Sequence, residues 1–455
     1  MHCCRSVLAI PSPRNTLNGY IVISSKFLNL PPAAPSAYGM IFSLLAAALP
    51  IISLSSNKAI VPLAIVATLA LLGVACKSGA LRHVRFFDPY VLYALCAYLL
   101  TALVATMLNG ISTDEAASLG KIIGLIFIAV FLLPIRRCLS MVDIQWVAGA
   151  LIMGLFITML WIGGYILYEK LMYFFGLDPE RYRDDYFYQL QLYGHFWFKS
   201  ASTVTALFSL VAGVYLIGVG KRFPALLLVC LGALTCYWVG SRTAGYGLIA
   251  ALGAGLVYQL LGRYRLKLVL AILAVTFLLP VWMNLGSFKP TQISAQLDNN
   301  SSAAHSVVYR MYIWDFVAEK IAEKPLLGWG IGASKRLGTD AEGVVTDPRF
   351  GKLGEPIPVH PHNAILQIWL EFGFFGLLFV YVLVARGLFL AEQHIHRPLD
   401  RIWIFACGFL IASLFSFSFS ITSSWWMVSV IVSVVLTAMF ARHGSSQDFA
   451  GKVPS

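Results

Sequence analysis

Two histidines separated by a single proline, His360 and His362, stand directly before an apolar run of the sequence. Asn363 follows them, and asparagine is a good N-cap for the helix that we expect to begin there. The positive end of a helix dipole disfavours a protonated imidazole and favours a nearby anion. A neutral imidazole beside an anion site suits a general base that helps to move a group from a phosphate onto a hydroxyl. His362 is therefore a candidate general base, although a histidine that only tolerates a helix boundary is the commoner case.

The sequence around these histidines does not indicate a metal site. The pattern His-x-His supplies too few ligands, and no carboxylate cluster accompanies it. The eight cysteines have no metal-ligand spacing and mostly fall in apolar runs, so they predict neither a metal centre nor a disulfide framework. The chain also has no nucleotide-binding fingerprint. We expect an active site that uses no metal ion and no cofactor.

Two arginines occur where phosphate oxygens could be bound. Arg310 lies in a predicted amphipathic helix, on the side that carries Trp314, and Arg242 lies at the end of an apolar run. A charge at the end of a membrane span is costly and usually has a purpose. Guanidinium groups match phosphate oxygens well. Both arginines are predicted to bind phosphate, with snorkelling to lipid headgroups as the alternative.

Three further charged residues are candidates for supporting roles. Glu371 stands about two turns into the apolar run that follows Asn363. A carboxylate in a span usually has a partner, for which an arginine or a polar helix face are candidates; a purely structural role is equally compatible. Arg183 and Lys199 lie in another polar interval with aromatic neighbours, a mixture that suits sugar and phosphate contacts. A solvated loop with interfacial aromatic residues is the alternative for that interval.

The composition is that of a membrane protein. Of the 455 residues, 59% are hydrophobic and 12% are charged, and the charged share is about half of that in a soluble domain. About twelve apolar segments are long enough to span a bilayer. The formal charge of +12 comes from short basic clusters between these segments, without the continuous stripe that nucleic-acid binding requires. The sequence therefore predicts an all-α polytopic membrane protein that contacts membrane lipids and does not bind nucleic acid.

The order of apolar and polar segments predicts the domain organisation. We expect an N-terminal tail at residues 1–39, spans 1 to 9 in 40–286, a large loop in 287–362, spans 10 to 12 in 363–441 and a C-terminal tail in 442–455. Lysine and arginine fall in every second connection, and basic connections are cytoplasmic. Both termini are therefore predicted inside the cell and the large loop outside. The first 39 residues contain five prolines and no sustained apolar run, which fits either a flexible tail or a true start at Met40.

One amphipathic helix is predicted within the large loop, from Ser306 to Glu323. Apolar residues recur on one side at helical spacing, and most of the charged residues lie on the other. Pro325 ends the pattern. A helix of this kind is expected to lie on the membrane surface.

In their order along the chain, these motifs resemble the O-antigen ligase family, which shares a domain with the O-antigen polymerases. The motifs are Gly240-Ser241-Arg242-Thr243-Ala244, Arg310 with Trp314, Pro325 to Gly332, His362 to Gln367 and Glu371 to Gly376. Their order, their spacing and the flanking spans agree over roughly residues 200–440.

The resemblance implies a metal-independent glycosyltransferase of the GT-C-like, lipid-donor type in the bacterial inner membrane, with its active site facing the periplasm. The donor would be a glycan on undecaprenyl pyrophosphate, and the acceptor a sugar hydroxyl of lipid A–core oligosaccharide, as in lipopolysaccharide biosynthesis. Residue by residue, His362 would be the general base, while Arg242 and Arg310 would bind the pyrophosphate. His360 corresponds to a frequent additional histidine with a supporting role.

Other functions share much of this chemistry. An O-antigen polymerase or a protein O-oligosaccharyltransferase would use the same donor site with a different acceptor. The long loop before the His-Asn pair favours the ligase. A flippase for lipid-linked oligosaccharides is disfavoured, because the ionisable residues gather at one face instead of being spread through several spans.

Overall fold

The computed structural model describes residues 34–80, 89–110, 113–174, 186–278, 281–282, 289–298, 302–341 and 343–450. Arg183 and most of the predicted N-terminal tail lie outside the described residues. The helices before the large loop are α1 (Ala37–Ser55), α2 (Ile60–Lys77), α3 (Pro89–Leu108), α4 (Thr113–Ile135), α5 (Met141–Phe174), α6 (Tyr186–Gly218), α7 (Arg222–Trp238), α8 (Arg242–Leu260) and α9 (Arg265–Phe277).

The large loop has its own secondary structure. Its elements are α10 (Pro290–Ser294), α11 (Ser302–Glu323), α12 (Ala333–Asp340), β1 (Val345–Asp347) and β2 (Gly351–Gly354). The two strands pair antiparallel. The chain then continues as α13 (Ala364–His394), α14 (Pro398–Phe417) and α15 (Ser424–Ala450). α15 thus extends into the predicted C-terminal tail.

Within the described ranges, nine helices are long and apolar enough to cross a membrane by length and composition. α7 and the Tyr93–Leu108 part of α3 are apolar but shorter, and α9 has 13 residues. The prediction of an all-α polytopic membrane protein is confirmed. The number of twelve spans stays a prediction.

Short connections reverse the chain direction between neighbouring helices. Residues 219–221 separate α6 from α7, and residues 239–241 separate α7 from α8. Gly220 and Gly240 have φ angles of +79° and +72° in these turns, a conformation that glycine adopts without a Cβ clash. We call the end of the bundle that carries residues 289–363 the loop side.

Small residues allow the helices of the main bundle to pack closely. A Cβ at Gly154 of α5 would lie 2.4 Å from the carbonyl oxygen of Ala47 in α1. A Cβ at Gly255 of α8 would lie 2.3 Å from the carbonyl oxygen of Ile402 in α14. Outward-facing apolar side chains such as Leu260, which is 76% exposed, are expected on a surface that faces lipid.

The predicted helix of the large loop is present as α11, but its surroundings differ from the prediction. The apolar face of α11, with Ile313, Val317 and Ile321, packs in one buried cluster with Leu366 and Leu370 of α13. This face therefore contacts protein, and the prediction that it lies on the membrane surface was wrong. An amphipathic pattern cannot tell a lipid surface from an apolar protein helix, because either one removes the apolar face from water.

α13 is interrupted at Gly373, where φ is 66° and ψ is −170°. The interruption leaves backbone groups without helical partners, and the loop segment 325–330 supplies them. The Trp329 N–H donates to the Leu370 carbonyl at 2.8 Å, the Gly330 N–H to the Glu371 carbonyl at 2.9 Å, and the Phe374 N–H to the Pro325 carbonyl at 2.8 Å. This exchange satisfies groups that would be costly to leave unpaired near a membrane. The loop is thereby attached to the helix that follows the two histidines.

Glycine is required at the contact between the two segments. Gly328 has a φ angle of +73°, and a Cβ there would lie 2.6 Å from the backbone nitrogen of Gly373. A Cβ at Gly373 would lie 2.1 Å from the carbonyl oxygen of Leu326. Backbone therefore packs directly on backbone, which no larger residue permits.

Candidate active site

The helix after the two histidines begins as predicted. Asn363 is 5% exposed, and its Oδ1 accepts hydrogen bonds from the backbone N–H groups of Ile365 at 3.0 Å and Leu366 at 3.1 Å. The predicted N-cap is confirmed. The cap fixes where α13 starts, and so it fixes the position of His362 immediately before it.

The His360-Pro361-His362 segment is held by contacts on both sides. The His362 backbone N–H donates to His360 Nδ1 at 3.1 Å, and the two imidazole centroids are 4.3 Å apart. Trp314 Nε1–H of α11 donates to the Pro361 carbonyl at 2.9 Å. His362 has a φ angle of +54°, and no other non-glycine residue of the described ranges has a positive φ. The loop helix and the neighbouring histidine thus hold His362 in an uncommon backbone conformation.

The electrostatic surroundings keep both imidazoles neutral. Burial lowers the pKa of His362, and the positive charges of Arg310 and Lys199 lower it further, while a hydrogen bond to the backbone of Ser418 acts in the opposite direction. Burial, His362 and Arg310 lower the pKa of His360 to about 4. The predicted neutral state of His362 is confirmed in direction. The largest cause of the lowered pKa is desolvation.

Arg310 is half-buried beside these histidines. Its Nη1 donates to the hydroxyl of Ser306 at 2.6 Å, one turn earlier in α11. Its Nε is buried and makes no hydrogen bond to any described residue. Burial lowers the pKa of Arg310, but a guanidinium group remains charged in proteins. Arg310 therefore brings a desolvated and incompletely paired positive charge to the histidines.

The site has positive charges without a matching anion. Arg310 and Lys199 are the charged groups that act on His362, and both lower its pKa. Among the described residues no ion pair involves Arg310 or Lys199. His362 Nδ1 is buried and has no hydrogen-bond partner in that part of the chain. Buried polar groups normally find partners, so this arrangement fits a ligand that brings negative charge and a proton donor.

Arg242 lies on the same side of the bundle but is not joined to this cluster. Val239, just before α8, packs with Phe198 of α6. The residue after Phe198 is Lys199, whose positive charge lowers the pKa of His362. The Arg242 side chain is exposed, and no hydrogen bond or ion pair to a described residue involves it. Arg310 and Lys199 are therefore near enough to lower the pKa of His362, whereas Arg242 is exposed and does not act on it.

Glu371 is fully buried in a polar network. Its Oε1 accepts from Ser334 Oγ at 2.8 Å and from Gln367 Nε2 at 3.1 Å. Gln367 Oε1 in turn accepts from Ser420 Oγ at 2.9 Å and from the Ile421 N–H at 3.2 Å. The partners are polar side chains, which the sequence offered as one of two candidates. The network ties α12 and the α14–α15 connection to the helix that follows His362.

Two contacts that the sequence did not indicate hold the loop against α3 and α4. Arg336 forms an ion pair with Glu115, and Lys324 donates to Asn109. Arg336 also donates to the Trp329 carbonyl at 2.9 Å. Arg336 and Glu115, like Lys324 and Asn109, are more than 200 positions apart in the chain, so no local pattern could have paired them. The i, i+4 spacing of Gln367 and Glu371 was the one available signal for the buried network.

A cavity of about 340 Å³ lies between α2 and α4. Its lining is mainly apolar and includes Val61, Ile65, Leu125 and Ile128, together with Gly120, Gly124, Lys121 and Ser424. Ser424 begins α15, six positions after Ser418, so the cavity is near the loop side. Lys121 is an exposed cation on an otherwise apolar span. Within the described residues, no group of three or more histidines, cysteines or acidic residues could hold a metal ion.

Fold and site together define a polytopic helical membrane protein in which an ordered loop holds a neutral, half-buried histidine beside positive charges. Comparison with known proteins places it more narrowly. Residues 225–381 match a family model described as O-Antigen ligase. The matched range contains Arg242, Arg310, both histidines and the interruption at Gly373. Residues 225–381 are thus similar to the O-antigen ligase family, and the resemblance drawn from the motifs is confirmed.

Curated relatives agree with this family. The chain is 31% identical over 239 residues to a protein of Rickettsia conorii named "Putative polysaccharide ligase", covering 51% of this chain and 55% of the relative. A protein of the same name in Rickettsia felis is 29% identical over 252 residues, covering 55% and 60%. In Rickettsia prowazekii, 37% identity extends over 147 residues, covering 32% and 34%. The chain spans little more than half the length of the first two relatives.

Proposed function

We propose that the protein is an O-antigen ligase. It transfers a polysaccharide from undecaprenyl pyrophosphate to a sugar hydroxyl of lipid A–core oligosaccharide. The reaction takes place at the periplasmic face of the bacterial inner membrane, on the loop side of the bundle, and needs no metal ion or cofactor. The observation that carries this proposal is the buried, unpartnered His362 Nδ1 beside the incompletely paired Arg310, inside the domain that matches the O-antigen ligase family.

In the proposed reaction, His362 accepts the proton of the acceptor hydroxyl as its oxygen attacks the anomeric carbon of the donor. The new glycosidic bond forms, and the bond between that carbon and the pyrophosphate oxygen breaks. The lowered pKa of His362 keeps the imidazole neutral before the reaction. A neutral imidazole is the form that can take a proton. The Ser418 backbone contact supports the imidazolium that results, because it favours the protonated ring.

The departing undecaprenyl pyrophosphate needs positive charge. Arg310 and Lys199 supply that charge next to His362, and Arg242 supplies more at the rim of the site. Arg310 is already desolvated before the reaction, and a preorganised charge of this kind stabilises a developing anion with little reorganisation. Once the pyrophosphate is bound, its negative charge also raises the pKa of His362, which makes the base stronger when the donor is present.

The cavity between α2 and α4 suits the lipid part of this donor. Its lining is apolar, and Gly120 and Gly124 leave the space next to their Cα atoms open. Lys121 gives this apolar surface one cation, which can pair with a phosphate oxygen. We place the first isoprenoid units of the donor in this cavity.

The test is a transfer reaction with the full-length protein reconstituted in lipid vesicles. The substrates are undecaprenyl pyrophosphate-linked glycan and lipid A–core oligosaccharide, with EDTA present and no nucleotide. The proposal predicts glycosylated lipid A–core and free undecaprenyl pyrophosphate in equal amounts. Movement of the donor across the vesicle membrane without product would contradict it and would indicate a flippase. Extension of the glycan on its lipid carrier, with lipid A–core unchanged, would indicate a polymerase.

A further inference from the structure

The His362 backbone is in a conformation that needs an explanation. Its φ angle is +54°, and only a few per cent of residues other than glycine have a positive φ, with asparagine, aspartate and histidine the more frequent among them. Such conformations persist when the surrounding structure holds them in place, and they occur often at functional sites. The side chain that holds this one is His360, whose Nδ1 accepts the His362 backbone N–H at 3.1 Å.

This hydrogen bond has the geometry of an Asx-turn. In an Asx-turn, an oxygen of an aspartate or asparagine side chain accepts the backbone N–H two residues further on. His360 Nδ1 is attached to Cγ, as asparagine Oδ1 is, and it accepts from the residue two positions ahead. The imidazole of His360 therefore does what an asparagine side chain does in a turn.

The two histidines consequently have different tasks. His360 uses the lone pair of Nδ1 for the backbone of its neighbour, so that nitrogen is not available to take a proton from a substrate. His362 has a buried Nδ1 that has no hydrogen-bond partner among the residues that the structure describes. Burial and the nearby charge of Arg310 keep the His360 ring neutral, which preserves the Nδ1 lone pair.

We propose that His360 is a positioning residue for His362. Its Nδ1 closes an Asx-like turn, and this turn holds the His362 backbone in the left-handed region and aims its ring at the acceptor hydroxyl. Trp314 supports the same segment by donating to the Pro361 carbonyl at 2.9 Å. This inference rests on the proposed role of His362 as general base, but it assigns His360 no contact with substrate.

Substitutions of His360 test whether it acts as the acceptor of this hydrogen bond or as a group that carries protons. H360F keeps a flat ring without an acceptor, and H360A removes the ring without a clash. Both should lower kcat about a hundredfold while KM changes little, since a misplaced catalytic group costs on this order. H360N restores the acceptor atom without the imidazole chemistry, and it should recover kcat to within about fivefold of the wild type.

The pH dependence of kcat/KM is a further test, because a His360 that only stabilised the fold would not change it. The groups that act on His362 are Arg310 of α11, Lys199 of α6, and the backbone of Ser418 after α14. H360D would also close the turn, but it adds a negative charge beside His362. The acid limb of kcat/KM should therefore shift to higher pH in H360D and stay in place in H360N.

A second measurement does not depend on transfer. Diethyl pyrocarbonate modifies neutral imidazoles, and mass spectrometry of the His362 peptide gives the rate for that residue. Without the turn, the ring is no longer held in its buried position, so H360F and H360A should show faster modification of His362 than the wild type. H360N should match the wild type. H305F is the matched control, because His305 of α11 contacts Phe350, with ring centroids 6.2 Å apart, and not the histidine pair.

Two results would overturn the proposal. One is an H360N protein as slow as H360F, with His362 equally exposed to the reagent, because the hydrogen-bond acceptor would then not be what matters. The other is wild-type kcat and wild-type modification rate in H360F and H360A. If the wild type transfers no glycan, the proposed function fails, and the modification rates still decide whether His360 positions His362.

Discussion

Charged groups are paired at one end of the bundle and left partly unpaired at the other. On the side opposite the loop, Glu392 accepts from Arg265 Nη2 at 2.7 Å and from the Tyr258 hydroxyl at 2.7 Å. Arg401 Nε makes no hydrogen bond to a described residue, but it lies 3.5 Å from Glu392 Oε1 in an ion pair, and the Arg401 Nη atoms donate to Gln259 and to the Ile395 carbonyl. On the loop side, Arg310 Nε and His362 Nδ1 are buried without partners among the described residues. Both clusters join helices that are distant in the chain.

The difference supports a structural role for the Glu392 cluster and the proposed ligand-binding role for the histidine cluster. A satisfied ion pair holds helices together and has little capacity left for another group. An unsatisfied buried donor costs stability, so each one calls for an explanation. Substitutions should therefore affect stability at the Glu392 cluster and catalysis at the histidines.

The largest expected effect is on catalysis, at His362. H362A should lower kcat about a thousandfold, because general base catalysis typically contributes between a hundredfold and ten-thousandfold. Donor binding should change little, and thermal stability should fall by only about 1 kcal/mol, because the ring gives up its hydrogen bond to the Ser418 backbone. The measurement is the transfer reaction, with donor binding followed separately. Wild-type activity in H362A would remove the base from the mechanism.

Arg310 is expected to give the next largest effect. R310A should cost about 3 kcal/mol of transition-state stabilisation, the usual loss for a preorganised group at a developing anion. R310K should recover only part of this, because lysine lacks the planar fork. R349A is the control, since Arg349 donates to the Ser294 carbonyl at 2.6 Å within the loop. Full activity in R310K would argue against paired contacts to the pyrophosphate.

The contact between Gly328 and Gly373 should be visible in stability. G328A adds a Cβ that meets the backbone of α13 at a φ of +73°, and we expect a loss of at least ~2 kcal/mol from strain and clash together. G351A is matched, because Gly351 has a φ of +71° with open space beside it, and it should cost about 1 kcal/mol. Thermal unfolding in detergent compares the two. Equal losses would mean that the packing contact adds nothing.

The pH profile is expected to show a smaller effect. The pKa of His362 is lowered from 6.5, so the folded protein keeps the imidazole neutral to lower pH than a free histidine. The acid limb of kcat/KM should therefore have its midpoint below pH 6.5, and activity should fall about tenfold per pH unit below that midpoint. A midpoint above 6.5 would mean that His362 is paired with an acid in the working enzyme.

The smallest effect is expected at the opposite side. E392Q keeps the shape of Glu392 but removes its charge opposite Arg265 and Arg401, and it should destabilise the protein by about 1–2 kcal/mol. The transfer rate per folded molecule should equal that of the wild type. Thermal unfolding and the transfer assay test this together. A tenfold loss of kcat with unchanged stability would contradict the division between the two clusters.

Much of the architecture could be predicted because the membrane imposes simple rules. Apolar runs predict membrane helices, and the spacing of Ile313, Val317 and Ile321 predicts a helix with one apolar face. The same pattern could not predict what this face covers, because lipid and α13 are equally apolar. The interruption at Gly373 was also not predicted, because the partners of the freed backbone groups, residues 325–330, lie more than 40 positions earlier.

The sequence by itself determined the helical class of this protein, the cap at Asn363, the resemblance to the O-antigen ligase family and the residue types of the candidate site. Only the tertiary structure decided that Arg310 and Lys199 lower the pKa of His362, that the Arg242 side chain is exposed, and that Glu371 is partnered by Ser334 and Gln367. The physical reason is range. Helix formation and capping depend on neighbours within a few positions, whereas desolvation and charge depend on which distant segments the fold brings together.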